Sequence, residues 1–227
     1  MTIKPYDLLI FDWDGTLMDS TVRIVSCLRE GMRQAGLPLR DDGQLRHIIG
    51  LGLEEAVDFL YPDVVDPGLK RKMMEVYRHQ FLYADTTPAA LFEGVTAMLD
   101  TLENEGYLLA VATGKTRSGL NSVWRELGME RRFHTSRCAD ETTSKPDPHM
   151  LREILSDLDV SPQRALMIGD TQFDIEMAHN AGVAAVAVAQ GAHSPDQLLQ
   201  KAPLVILERV TYLLSWLRLQ TRQAMPL

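Results

Sequence analysis

The chain has little cysteine, no long apolar run and no surplus of positive charge. Its two cysteines, Cys27 and Cys138, have no partner at metal-ligand spacing. That usage excludes a disulfide scaffold and suits a reducing compartment. The histidines His47, His79, His134, His149, His179 and His193 form no HxH or HxxxH pair, so neither a zinc site nor a catalytic histidine site is expected. The longest apolar stretches, such as Ala181–Ala189, are far too short to span a bilayer. Met1–Tyr6 shows no signal-peptide pattern, so a cytoplasmic protein without membrane association is expected. Lys and Arg number 23 against 31 Asp and Glu, for a formal charge of -8. A diffuse negative field does not favour nucleic acid or anionic lipid, and neither is expected as a partner. No GxxxxGK nucleotide loop is present.

What is present suffices for a sizeable core. The 227 residues are 45% hydrophobic and 24% charged, which excludes wholesale disorder and allows one large domain with a modest insertion. The run Tyr6, Leu8, Leu9, Ile10 and Phe11, starting after Pro5, reads as a short buried strand, with a break at Gly15. From Ser20 to Gly36 the pattern turns helical, with Val22, Val25, Leu28 or Arg29, and Met32 at about one turn, and Ser20 or Thr21 as the cap. Further helices are expected over 42–49, 54–60 and 68–81. Residues 19–87 thus contain helices and no convincing strand. Beyond Pro88 strands and helices alternate: helices over 95–105, 116–127, 148–158 and 172–181, and strands over 107–112, 133–136, 165–168, 183–189 and 204–207. A closing helix carries Val210, Leu213, Leu214 and Leu217. That alternation predicts an α/β fold, a mostly parallel sheet flanked by helices on both faces. The expected partition is a core of 1–18 and 88–227 with a helical unit, 19–87, inserted between. The tail from Thr221 is expected to fray.

In an open parallel sheet, ligands sit beyond the carboxyl ends of the strands. Those ends carry Asp12 and Asp14, then Thr113, Gly114 and Lys115, then Asp170, with Asp174 one turn further on. Lys145 opens the helix before the 165–168 strand. In extended backbone Asp12 and Asp14 point the same way, and two adjacent carboxylates suit a nucleophile beside a general acid/base. Asp14-Gly15-Thr16 alone reads equally well as a turn and helix cap. Asp170 and Asp174 offer hard oxygens of the kind Mg²⁺ takes, or a cap and an exposed aspartate. Lys145 can reach a phosphoryl oxygen or the nucleophile, although an isolated lysine is usually a solvated charge. Thr113 and the Gly114 amide can donate to phosphate.

The order of these signals is more specific than any one of them. FDWDGTLMDS, VATGK, SKPDP and IGDTQFDIEMA resemble, in sequence, the four motifs of the haloacid dehalogenase-like (HAD) superfamily of phosphohydrolases, and most closely its subfamily IA, phosphoglycolate phosphatase-like branch. The resemblance implies a Rossmann-like core with 19–87 as an inserted helical C1 cap domain. It implies Asp12 as the nucleophile that becomes phosphorylated and Asp14 as the acid that protonates the leaving group and then activates water. Asp12, the Asp14 carbonyl and Asp170 are implied Mg²⁺ ligands, with Asp174 supporting the metal site. Thr113 and Gly114 are implied phosphate binders, and Lys145 steadies Asp12 and the phosphoryl group. Asp14 favours phosphoryl transfer over dehalogenation, because an alkoxide leaving group needs an acid and a halide does not.

The expected activity is hydrolysis of a small-molecule phosphate monoester, by a monomer or homodimer. A β-phosphoglucomutase-like phosphomutase and a non-catalytic phosphometabolite-binding module are the alternatives. Candidate contacts to the organic half of the substrate are Arg23, Gly50, Leu51, Gly52, Lys115 and Arg117. Trp13, pointing away from the aspartates, is expected to pack.

Overall fold

A computed structural model of the protein describes residues 4–223. The strand β1 (Leu8–Phe11) is buried along its whole length. It sits in the middle of a six-stranded parallel sheet with β4 (Leu108–Thr113), β5 (Thr135–Cys138), β6 (Ala165–Gly169), β7 (Ala184–Val188) and β8 (Ile206–Leu207), in the order β5-β4-β1-β6-β7-β8. The register is continuous across the centre: Leu9 faces Leu109 on one side and Leu166 on the other.

Alternation along β1 supplies both faces of the sheet. Leu9 and Phe11 point into one apolar cluster with α5 (Val95–Asn104), α6 (Arg117–Leu127) and α10 (Leu213–Gln223). Leu8 and Ile10 point into the other, against α7 (His149–Leu158) and α8 (Gln172–Ala181). A strand buried on both faces reads as the continuous apolar run seen in the sequence. Trp13 is fully buried, packed edge-on against Trp124 and Phe133, as expected. The order of strands reverses at β1 and β6. In a doubly wound sheet that is where the crevice for ligands opens.

Between β1 and α5 lies a separate apolar cluster formed by α1 (Thr21–Ala35), α2 (Asp42–His47), α3 (Leu53–Leu60) and α4 (Pro67–His79), the last extended by a π-helical turn at Gln80–Ala84. Ile24, Val25, Leu28 and Met32 form the buried face of α1, whereas Val22 is 58% exposed. The expected stripe was therefore displaced at its first member: Ile24, not Val22, continues the apolar face. Ser20 occupies the N-cap position of α1, but its side chain makes no cap bond.

A two-residue ribbon was not expected. β2 (Met18–Asp19) pairs antiparallel with β3 (Ala90–Leu91) where the chain leaves the sheet and returns to it. The short helix α9 (Pro195–Leu199) was also missed, although Ser194 and Gln197 form a capping box that the sequence displays. The 133–136 strand lies two residues later than expected. Thr221–Gln223 continue α10, and the rest of the tail expected to fray lies outside the described residues. Among the described residues no helix is long and apolar enough to cross a membrane.

Candidate active site

Four strand ends and one loop converge above the reversal point. The Asp12 amide still donates to the Ile168 carbonyl at 2.9 Å, so β1 and β6 remain paired until the first aspartate emerges. Asp12 and Asp170 are buried, and so is Lys145. Lys145 Nζ donates to Asp12 Oδ1 at 2.5 Å and to Asp174 Oδ1 at 2.7 Å. Asp12, Asp170 and Asp174 each bring one carboxylate oxygen within 4.8 Å of the others. Residues from opposite halves of the chain thus meet at one point.

Each carboxylate is held differently. Asp170 accepts from the Thr16 hydroxyl on Oδ1 and from the Ala192 amide on Oδ2, both at 2.7 Å. Asp174 closes a capping box with Thr171 at the start of α8. Its Oδ2 accepts from the Thr171 amide and hydroxyl, and its Oδ1 takes Lys145. Asp12 Oδ2 is buried with no partner. Asp14 accepts from the Ser20 hydroxyl at 2.6 Å and pairs with Lys115 at 3.0 Å. Gly15, at φ +84°, makes the turn between these groups. A Cβ there would stand 2.8 Å from the Asp170 carboxyl carbon.

Burial governs the electrostatics. It pushes Asp12 well above the usual carboxylate range; Lys145 opposes the shift, and Asp174 and Asp170 add to it. Burial, then the Asp174 charge, raises Asp170 to about 7. Burial alone would lower Lys145, but the charges of Asp12 and Asp174 outweigh it and hold the ammonium above its ordinary value. Three ionised carboxylates around one ammonium leave two negative charges without compensation in a dry site. A divalent cation would supply that compensation, and all the donors are hard oxygens of the kind Mg²⁺ takes. The residues fit such an ion. The orphaned Asp12 Oδ2 is the side-chain atom best suited to it; both oxygens of Asp170 and of Asp174 already accept hydrogen bonds, and Asp174 is in addition taken by Lys145.

The loop after α2 presses down onto this rim. A Cβ on Gly114 would lie 2.7 Å from the Gly50 carbonyl oxygen, so only glycine permits the approach. The Gly52 amide donates to the Ser144 hydroxyl at 2.7 Å, next to Lys145. On the other side His193 Nδ1 accepts from the Gln172 amide at 3.0 Å and Nε2 donates to the His47 carbonyl at 3.0 Å. Between loop and rim lies a cavity of about 80 Å³ with Asp12, Asp14, Thr113, Gly114 and Lys115 in its floor. Gly50 and Leu51 also line it.

Three expected contacts do not line the cavity. Arg23 donates to the Phe81 and Asp85 carbonyls at 2.8 and 3.1 Å and is a tie between α1 and the π turn. Arg117 is engaged by Glu141 and Ser136. Gly52 points its amide at Ser144 instead. Thr16, Ser20 and Ser144 were not picked out for the site by the sequence reading. Thr16 stands inside the first motif and Ser144 opens the third, so both could have been found; Ser20, which ends the first, looked like a helix cap.

Residues 9–188 match the family model described as haloacid dehalogenase-like hydrolase. The chain belongs to this family: it is a haloacid dehalogenase-like hydrolase of α/β architecture, with relatives named as phosphatases. It is 36% identical over 211 residues to the protein named "Probable phosphatase IndB" of Dickeya dadantii, covering 91% of this chain and 90% of that one. It is 29% identical over 194 residues to the phosphoglycolate phosphatase of Nitrosococcus oceani, covering 83% and 86%. A Bacteroides fragilis protein described as a haloacid dehalogenase-like hydrolase superposes with a TM-score of 0.84 at 25% identity, covering 92% of this chain and 99% of that one.

Proposed function

We propose that the protein is a Mg²⁺-dependent phosphatase that hydrolyses a small-molecule phosphate monoester through an aspartyl-phosphate on Asp12. The observation that carries this reading is the buried contact of Lys145 with Asp12 at 2.5 Å, inside a cluster of three carboxylates and at the floor of the cavity.

An Asp12 carboxylate oxygen attacks phosphorus while the ester P–O bond breaks. Asp14 gives a proton to the departing alkoxide. The ionised Asp14 then takes a proton from water, which attacks phosphorus and releases phosphate and Asp12. Lys145 holds Asp12 in line and offsets charge on the phosphoryl oxygens. Thr113, whose hydroxyl accepts from the Lys115 amide at 3.2 Å, keeps its own proton free to donate to phosphate, as does the Gly114 amide. Asp12, the Asp14 carbonyl and Asp170 would hold Mg²⁺, with Asp174 fixing Lys145 and the start of α8. When bound, the ion offsets the crowded carboxylates and polarises the phosphoryl group. Residues 19–87 act as the cap that shields the acyl phosphate from bulk water. Free, buried Cys27 and Cys138 agree with work in the reducing cytoplasm.

The test is release of inorganic phosphate from a panel of phosphate esters with Mg²⁺. The wild type is expected to turn over and Asp12→Asn to be inactive while still folded. A folded, Mg²⁺-supplied wild type that releases no phosphate from any ester overturns the proposal.

A further inference from the structure

The cavity floor is polar and its roof is not. Ile24 and Leu28 of α1, Ile49 and Leu51 of the loop, and Tyr77 and Phe81 at the end of α4 close over the floor. Tyr77 and Phe81 stack with centroids 5.9 Å apart, so they form one continuous aromatic wall. Two cations line the cavity, Lys115 and Arg78. Lys115 is already engaged: Nζ pairs with Asp14 at 3.0 Å and stands 4.1 Å above the Phe81 ring. Arg78 is an exposed side chain at the lip.

An anionic group on the organic half of a substrate would leave water for a wall of aliphatic and aromatic carbon, with its nearest cation committed elsewhere. Burying an unpaired charge costs several kcal/mol. A polyol faces the same difficulty, because its hydroxyls need partners and the roof side chains provide the Tyr77 phenol alone. Burial, then the Asp14 charge, pushes that phenol well above its ordinary value, so it is a neutral group. An apolar group gains from the same enclosure, by about 25 cal/mol for each Å² removed from water.

We infer that the alcohol half of the substrate is small, uncharged and apolar, a branched alkyl or single-ring group seated against Ile24, Leu28, Ile49, Tyr77 and Phe81. This rests on the phosphatase reading above and narrows it to a substrate class. It also separates the chain from its phosphoglycolate phosphatase relative, whose named substrate carries a carboxylate.

The experiment compares kcat/KM for isopentyl phosphate and benzyl phosphate with that for 2-phosphoglycolate and glycerol 3-phosphate, using the wild type with Mg²⁺. The apolar esters are expected to exceed the polar pair by about tenfold or more, chiefly through lower KM, since apolar contacts bind ground and transition states alike. Equal or better turnover of either polar ester overturns the inference and leaves the phosphatase reading standing. No phosphate from any of the four and none from a wider panel overturns both. Calorimetry on Asp12→Asn reads recognition without turnover. Benzyl phosphate is expected to bind about tenfold tighter than 2-phosphoglycolate, and the reverse order overturns the inference.

Discussion

The imidazole rings of His193 and His47 stack 5.1 Å apart and 9° from parallel, with His193 Nε2 on the His47 carbonyl. Phe173, next to the capping box of α8, meets both rings. One buried, neutral imidazole therefore ties the end of α2 to the start of the helix that carries Asp174. Because Nδ1 accepts from Gln172, a proton can be added only at the cost of that bond.

His193 therefore makes stability depend on pH. Burial lowers its value from the ordinary 6.5; the bond to the His47 carbonyl opposes this, the His47 charge adds to it, and the Asp174 charge opposes it least. The unfolded chain binds the proton first, so the stabilising contribution is complete above about pH 6.5 and is lost as pH falls through the depressed folded value. Urea unfolding at pH 7 and pH 5 is expected to show a larger loss for the wild type than for His193→Leu. Equal losses would show that the imidazole does not titrate as described.

Metal binding should appear in stability before it appears in turnover. An ion that binds only the folded chain adds about 2.7 kcal/mol at a hundred times its Kd, which raises the melting temperature by roughly 5 °C or more for a chain of this size. Mg²⁺ is expected to raise the melting temperature of the wild type and to leave that of Asp170→Asn unchanged. A variant that keeps the full rise would place the ion elsewhere.

Gly114→Ala should act first on the loop above the rim, beside a proposed phosphate-donating amide. The new methyl group would meet the Gly50 and Leu51 carbonyls and push the loop off the rim. Overpacking of this kind costs about 1–3 kcal/mol. KM is expected to rise about tenfold or more with a smaller change in kcat. An unchanged KM would mean that the loop and the rim do not meet during turnover.

The sheet centre and the convergence of Asp12, Asp14, Thr113 and Asp170 were legible in the sequence, because β1, β4 and β6 are short apolar runs whose polar residues begin where the run ends; β5, TSRC, is no such run, and Lys145 was legible only from the SKPDP motif. The partners of other motif residues were not legible. Thr16 reaches Asp170, and Ser144 reaches Gly52, across long separations, and no periodicity encodes such bonds. Arg23 and Arg117 carried the right charge at plausible positions, but backbone carbonyls and Glu141 engage them. Ser20 illustrates the ambiguity: the residue that sequence rules make a helix cap turns its hydroxyl to Asp14 instead.

The ribbon of Met18–Asp19 and Ala90–Leu91 gives the helical segment neighbouring points of entry and exit, with Met18 opposite Leu91 and Asp19 opposite Ala90. A tight two-residue hairpin could join the stubs. The helical segment is thereby a cassette: grafting another in its place would leave the strand order of the sheet beneath unaltered, and, on the proposed function, selectivity could be re-engineered while Asp12, Asp14 and Lys145 stay where they are.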